Sequence, residues 1–313
     1  MAASTQEFLQ RLMKNVESVV LGKREVVQMS LVALLAGEHI LLEDVPGVGK
    51  TLVAKALSKS IEGKFARIQF TPDLLPSDIL GSSIYHASSS TFEFSSGPIF
   101  ANVVLADEIN RAPPRTQSAL LEAMSERQAS IDGVTYPMPD PFIVMATQNP
   151  FEFEGTYLLP ESQLDRFLVR IELGYPERSA EREVLTSHNL GEPVNSLKSV
   201  VTLAEVKSAQ QSVRSVRFEE SVLDYLQDIV EITRNSIDLQ IGVSTRGALS
   251  YYRACQALAV IQNRSFVTPD DVKSLAIPVI AHRIIPKGFA AGSDRKLVEA
   301  NVRRILETVR VPV

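Results

Sequence analysis

Seven residues, Val45-Pro46-Gly47-Val48-Gly49-Lys50-Thr51, constrain most strongly what this chain can become. They join an apolar run at 39–43 (HILLE) to a stretch of helical spacing at 50–60. The first predicts a short buried strand and the second a helix, so the glycines lie in a strand-to-helix turn. Glycine lets a backbone take left-handed dihedrals and come close to a ligand. Such a turn, opening directly into a helix, aims N–H groups and the positive end of a helix dipole at an anion. Pro46, Gly47, Val48, Gly49, Lys50, Thr51 and Leu52 are therefore candidates for a phosphate-binding loop. Lys50 would offset phosphate charge and the Thr51 hydroxyl would ligate magnesium. The full pattern carries a glycine where Asp44 stands. A carboxylate there would repel phosphate, so Asp44 is expected to point away or to bond to the loop backbone.

Strand-like segments recur at 65–70, 103–106, 142–146 and 167–173, with helical stretches between them. That alternation predicts an α/β fold, a mostly parallel sheet with helices on both faces. Near the start, Ser4 and Glu7 form a capping-box pattern. Phe8, Leu12, Val16, Val19 and Val20 then follow at helical spacing, and a second helical run covers 23–36. Two interruptions read as hairpins standing off the sheet, at 84–94 and at 129–136. The second turns on Asp132-Gly133, which suits a primed turn. After Gly174 the character changes. Helices are expected at 179–188, 203–213, 219–234, 245–262, 269–282 and 294–309, with no convincing strand. The chain thus divides into 1–174 and 175–313, consistent with 313 residues at roughly 100–200 per domain.

Two further strand tips are polar. The run VVLA at 103–106 ends in Asp107 and Glu108. Sheets of this class bind ligands at the carboxyl ends of their strands. Asp107 is placed to hold magnesium, and Glu108 to act as general base on an attacking water. The run IVMATQ ends in Asn149, a candidate for orienting that water or touching a γ-phosphate. Two arginines complete the set: Arg166 just before the last strand, and Arg246 at the start of a helix that Ser244 or Thr245 can cap. A planar, permanent cation suits a phosphoryl transition state. Gly247, inside that helix start, is expected to cost about 1 kcal/mol against alanine.

Bulk properties narrow the partners. Apolar residues make up 45% and charged residues 22%, as in ordinary globular proteins, and the net charge of −5 gives no general attraction to nucleic acid or to an anionic membrane. The lone Cys255 rules out a disulfide within the chain and fits a reducing cytoplasm. The start of the chain lacks the basic and apolar regions of a signal peptide, and no apolar run is long enough to span a membrane. The four histidines lack metal-ligand spacing.

Taken together, EDVPGVGKT (43–51), LADEINRAPPRTQSALLEAM (105–124), ATQNP (146–150), PESQLDRF (160–167) and the segment 243–246 resemble the MoxR family of AAA+ ATPases over nearly the whole chain. The phosphate loop and acidic pair are generic to such ATPases; the 108–124 and 160–167 segments are more specific. The resemblance implies a five-stranded AAA+ core with a C-terminal helical lid, binding ATP and Mg2+. It implies Walker A at Lys50 and Thr51, Walker B at Asp107 and Glu108, and sensor 1 at Asn149. It further implies an arginine finger at Arg166 and a sensor 2 arginine at Arg246, with the hairpins as the helix-2 and pre-sensor-1 inserts. It implies a hexameric ring that remodels or activates a partner carrying a von Willebrand factor A domain. A nucleic-acid motor, a metal-chelatase subunit and a non-hydrolysing nucleotide switch are the alternatives. The acidic balance argues against the first and Glu108 against the last.

Overall fold

The computed structural model describes residues 2–150, 155–187, 191–288 and 295–312. Five parallel strands form its central sheet: β1 (His39–Glu43), β2 (Phe65–Gln69), β3 (Val103–Asp107), β4 (Ile143–Gln148) and β5 (Phe167–Ile171). Their spatial order is β5-β1-β4-β3-β2. The middle strands are apolar over most of their length because both faces are covered. Side chains still alternate: Ile40 and Leu42 join one core, while Leu41 between them joins the other. The larger core packs against α1 (Ala2–Glu17), α2 (Arg24–Ala36) and α3 (Lys50–Ser60); the smaller packs against α4 (Pro114–Glu126). Helix α1 begins at Ala2, ahead of Ser4, so the Ser4–Glu7 pattern is not its cap.

Both hairpins form, Gly81–His86 with Thr91–Ser96 and Gln128–Ile131 with Val134–Pro137. The second turns through Asp132 (φ 52°) and Gly133 (φ 81°), the two positive φ values of a primed turn. A stacked pair, Phe94 and Tyr136 at 4.0 Å between centroids, joins the hairpins.

Past Gly174 come α5 (Arg178–Ser187), α6 (Leu203–Arg214), α7 (Glu220–Asn235), α8 (Thr245–Ile261), α9 (Pro269–Ile280) and α10 (Arg295–Thr308). The expected helix ends at 188 and 294 lie outside the described residues. The expectation of no strand here fails: Leu239–Ile241 pairs antiparallel with Ile285–Pro286, and Val201–Thr202 pairs with Ile61–Glu62 in the first half. These segments are two or three residues long and their partners are distant in sequence, so they leave no periodic signal. Helix α8 packs on α2, where Gln210 Nε2 of α6 also donates to the Leu34 carbonyl at 2.7 Å. No described helix is long and apolar enough to cross a membrane.

Candidate active site

The turn after β1 folds as the glycines require. Gly47 (φ 85°) and Gly49 (φ 98°) are both left-handed, and Gly49 is the N-cap of α3. A Cβ at Gly47 would meet nothing within 4 Å, so conformation rather than space demands glycine there. A cleft of about 690 Å³ opens above this turn, lined by 46–53, Asp107, Glu108, Thr147 and Asn149. The tips of β1, β3 and β4 thus bring together all the predicted phosphate-loop, acidic and sensor 1 positions. Thr51 and Asp107 offer the hydroxyl and carboxylate oxygens that magnesium takes, so the donor set fits that ion.

Asp44 behaves as its chemistry demands. It is buried, with one carboxylate oxygen accepting from the Val45 N–H at 2.7 Å and the other from the Gly174 N–H at 2.6 Å. Lys50 Nζ donates to the carbonyls of Asp44 (2.5 Å) and Gln148 (3.1 Å). Burial pulls the Lys50 ammonium below the usual lysine range, opposed by the carboxylates of Asp44, Asp107 and Glu108. An approaching anion would restore the charge balance that burial disturbs.

The acidic pair is held on several sides. Thr147 Oγ1 donates to Asp107 Oδ1 at 2.6 Å and accepts from the Glu108 N–H at 2.8 Å. Arg67 donates to Asp107 Oδ2 through Nη2 (2.7 Å) and Nε (3.2 Å). Gln69 Nε2 donates to Glu108 Oε2 at 3.0 Å, and Arg111 Nε lies 3.1 Å from the same oxygen. Arg111, although partly exposed, thus stands beside the acidic pair. Glu108 itself sits at φ 59°, a left-handed conformation uncommon for a non-glycine residue. Sequence reasoning missed Thr147, Arg67 and Gln69. Thr147 stands two residues before Asn149, near the end of β4, and Arg67 and Gln69 share a face of β2, but which strand that face meets is set by the sheet order. Also missed were Val19, Val20, Leu21 and Tyr175, which line the outer part of the cleft with the side-chain apolarity a nucleobase needs.

Arg166 and Arg246 are not in this cleft. Arg166 directly precedes β5, which places it at the N-terminal edge of the sheet, where β1 also begins. A second cleft of about 370 Å³ holds both arginines, with Glu38, His39 and Arg253. A strand of five residues, about 15 Å, separates this edge from the phosphate loop. Arg166 Nη1 donates to the Leu121 carbonyl and, at 2.7 Å, to Ser125 Oγ. Burial and the like charge of Arg246 both disfavour the Arg166 cation, and its Nε is buried without a partner. Neither arginine is ion-paired to a carboxylate among the described residues, although Glu38 and Asp165 also line the cleft.

Asp165 fixes this edge. It accepts from Ser244 Oγ (2.9 Å), whose own oxygen caps α8 by accepting from the Gly247 N–H, and from the fully buried Arg283 Nε (2.8 Å). A Cβ on Gly247 would lie 2.8 Å from Arg283 Cδ and 2.9 Å from Val243 Cγ1. Close packing therefore explains this glycine. Arg170, on β5, is buried in an ion pair with Glu43 at 3.4 Å, so its charge is already matched within the chain.

Residues 39–169 match the model of the ATPase family associated with various cellular activities (AAA), and residues 231–305 match that of the AAA lid domain. The chain is 48% identical to the uncharacterised YeaC protein of Bacillus subtilis (strain 168), covering 98% of this chain and 95% of that one. It is 40% identical to the protein named Chaperone MoxR1 of Mycobacterium tuberculosis, covering 99% and 84%. A solved structure from Cytophaga hutchinsonii, described as a candidate ATPase, superposes with a TM-score of 0.89 at 36% identity, covering 100% of this chain and 97% of that one.

Proposed function

Because the chain belongs to the MoxR family of AAA ATPases and is itself an ATPase, we propose that its magnesium-dependent hydrolysis of ATP is completed between neighbouring copies in a ring. One observation carries the reading: the phosphate loop and acids stand at one edge of the sheet, and the unpaired arginines at the other. Within one chain no arginine of the pair reaches its own cradle. A head-to-tail contact places one copy's Arg166 and Arg246 against the next copy's phosphates, and repeats of such a contact close into a ring.

In this reading the loop 46–52 and Lys50 grip the β- and γ-phosphates, and Thr51 and Asp107 hold the metal. Magnesium, once bound, supplies positive charge against the phosphate oxygens. Asn149 orients a water, Glu108 accepts its proton as the oxygen attacks phosphorus, and ADP departs with its β-phosphate oxygen. The neighbour's Arg166 and Arg246 stabilise the charge that gathers on the γ-phosphoryl oxygens. The ring is a hexamer acting in the cytoplasm. It works as a chaperone-like machine, remodelling or activating a protein partner with a von Willebrand factor A domain. Support for that last step comes from the family and from the relative named a chaperone.

Two singly inactive variants test the assembly. Arg166→Ala keeps its acids but offers no finger; Glu108→Gln keeps its finger but has no base. Mixed rings contain some junctions with both, so mixing restores part of the rate. Mixed rings verified by mass photometry that show no recovered turnover overturn the shared site.

A further inference from the structure

The metal seat carries a cation of its own. Arg67 and Gln69 lie two residues apart on β2, so their side chains share a face, and the register sets Gln69 opposite Asp107 and Arg67 opposite Leu105. Arg67 therefore reaches diagonally to the strand tip, where both of its bonds go to the single oxygen Asp107 Oδ2. The other carboxylate oxygen takes the Thr147 hydroxyl. Thr147 is committed to that direction because its oxygen also accepts the Glu108 N–H. Arg67 Nη2 further donates to Gln69 Oε1 at 2.9 Å, and Gln69 donates on to Glu108. The Asp107 side chain is 10% exposed and that of Arg67 47%, so the guanidinium covers the carboxylate from the solvent side.

We propose that Arg67 is a built-in counter-ion of the Asp107 metal seat, which must release that carboxylate before magnesium can be held there. The proposal rests on the reading of Asp107 as the metal-holding acid. Without a ligand, a nearly buried carboxylate beside Glu108 faces a like charge, and Arg67 offsets both. Two cations cannot share one oxygen without strong repulsion, so guanidinium and metal compete for it. The competition sets a threshold: only magnesium arriving with phosphate oxygens to complete its ligand set replaces the arginine. Released from Asp107, Arg67 also loosens its hold on Gln69, which engages the catalytic carboxylate. Arg67 is thus a positioning residue that couples metal arrival to the freedom of Glu108.

The test is a metal titration rather than a rate. Binding of a fluorescent ATP analogue is followed against magnesium concentration, and Mn2+ occupancy in the presence of ADP is read by electron paramagnetic resonance. In Arg67→Ala and Arg67→Gln the metal concentration for half-maximal binding falls roughly five-fold, the scale of a partly exposed ion pair. Arg67→Gln keeps a polar stem, and thermal unfolding confirms that either variant is folded. An unchanged or increased metal requirement in folded variants overturns the counter-ion role. Asp107→Asn separates the two ideas. It raises the metal requirement well above wild type if Asp107 is the seat; if the requirement is unchanged, the site assignment falls and the counter-ion with it.

Discussion

The two edges of the central sheet are opposites. At the C-terminal edge the strand tips gather glycine turns, Lys50, two carboxylates and an asparagine around a cleft of about 690 Å³. At the N-terminal edge a cleft of about 370 Å³ gathers Arg166, Arg246 and Arg253. The first edge can bind a nucleotide and a metal yet lacks an arginine for the transition state, since Arg67 and Arg111 are already engaged by the acids. The second has arginines without a phosphate cradle. Neither half is deficient by accident of packing. Parallel strands put every strand exit on one side and every strand entry on the other. Within one chain, residues that follow these strands therefore stand at the opposite edge from residues that precede them.

The contrast breaks most sharply under paired substitutions. Lys50→Ala is expected to abolish nucleotide binding by calorimetry, whereas Arg166→Ala leaves binding by the isolated chain intact and lowers turnover by about 10³-fold, the scale of an arginine supplied in trans. If Arg166→Ala lost ATP affinity as fully as Lys50→Ala does, the two edges would be one site.

Acid separates the edges next. His39 is fully buried at the N-terminal edge, with Nδ1 accepting from the Val144 N–H and Nε2 facing the Met124 carbonyl. Burial lowers its pKa from 6.5 to about 4, and burial also lowers that of His282, whose Nε2 meets the Phe167 carbonyl at the same edge. Between these pH values the unfolded chain binds a proton at His39 that the folded chain refuses. Its contribution is present above pH 6.5 and is lost as pH falls towards 4, a loss of up to about 3 kcal/mol for a shift of this size. Urea midpoints followed from pH 7 to 4.5 should fall, and His39→Gln should flatten the slope. A flat wild-type profile would remove this distinction between the edges.

The smallest effect sharpens how the arginine edge is built. Ser244→Ala removes the cap of α8 and the bond to Asp165, and should cost about 1 kcal/mol by thermal unfolding. A loss confined to turnover, with stability unchanged, would show that the Ser244–Asp165 bond serves only to aim Arg246.

Much of this was legible in the sequence, for reasons that differ by residue. The central strands announced themselves through apolar runs flanked by turns. Pro46 to Leu52, Asp107, Glu108 and Asn149 were legible because each follows a strand. Even the awkward Asp44 was legible as a carboxylate that had to bond to backbone. The location of Arg246 was not, because it depends on how α8 lies against α2, a contact with no local signature. Nor was the Arg67–Asp107 pair, since a charged residue in an edge strand reads as solvated until the neighbouring strand is known. The packed role of Gly247 was hidden for the same reason: the atom that excludes a side chain there belongs to Arg283, on another element.

Asp44 has one more consequence. Its two oxygens are divided between the Val45 N–H, in the loop that grips phosphate, and the Gly174 N–H, where the chain leaves β5 for the helices beyond. A glycine in its place would leave loop and exit free to shift independently. The carboxylate rivets them, and Gly174 at φ 63° supplies the swivel beside the rivet. The phosphate loop and the exit from β5 are thus anchored to the two oxygens of one carboxylate.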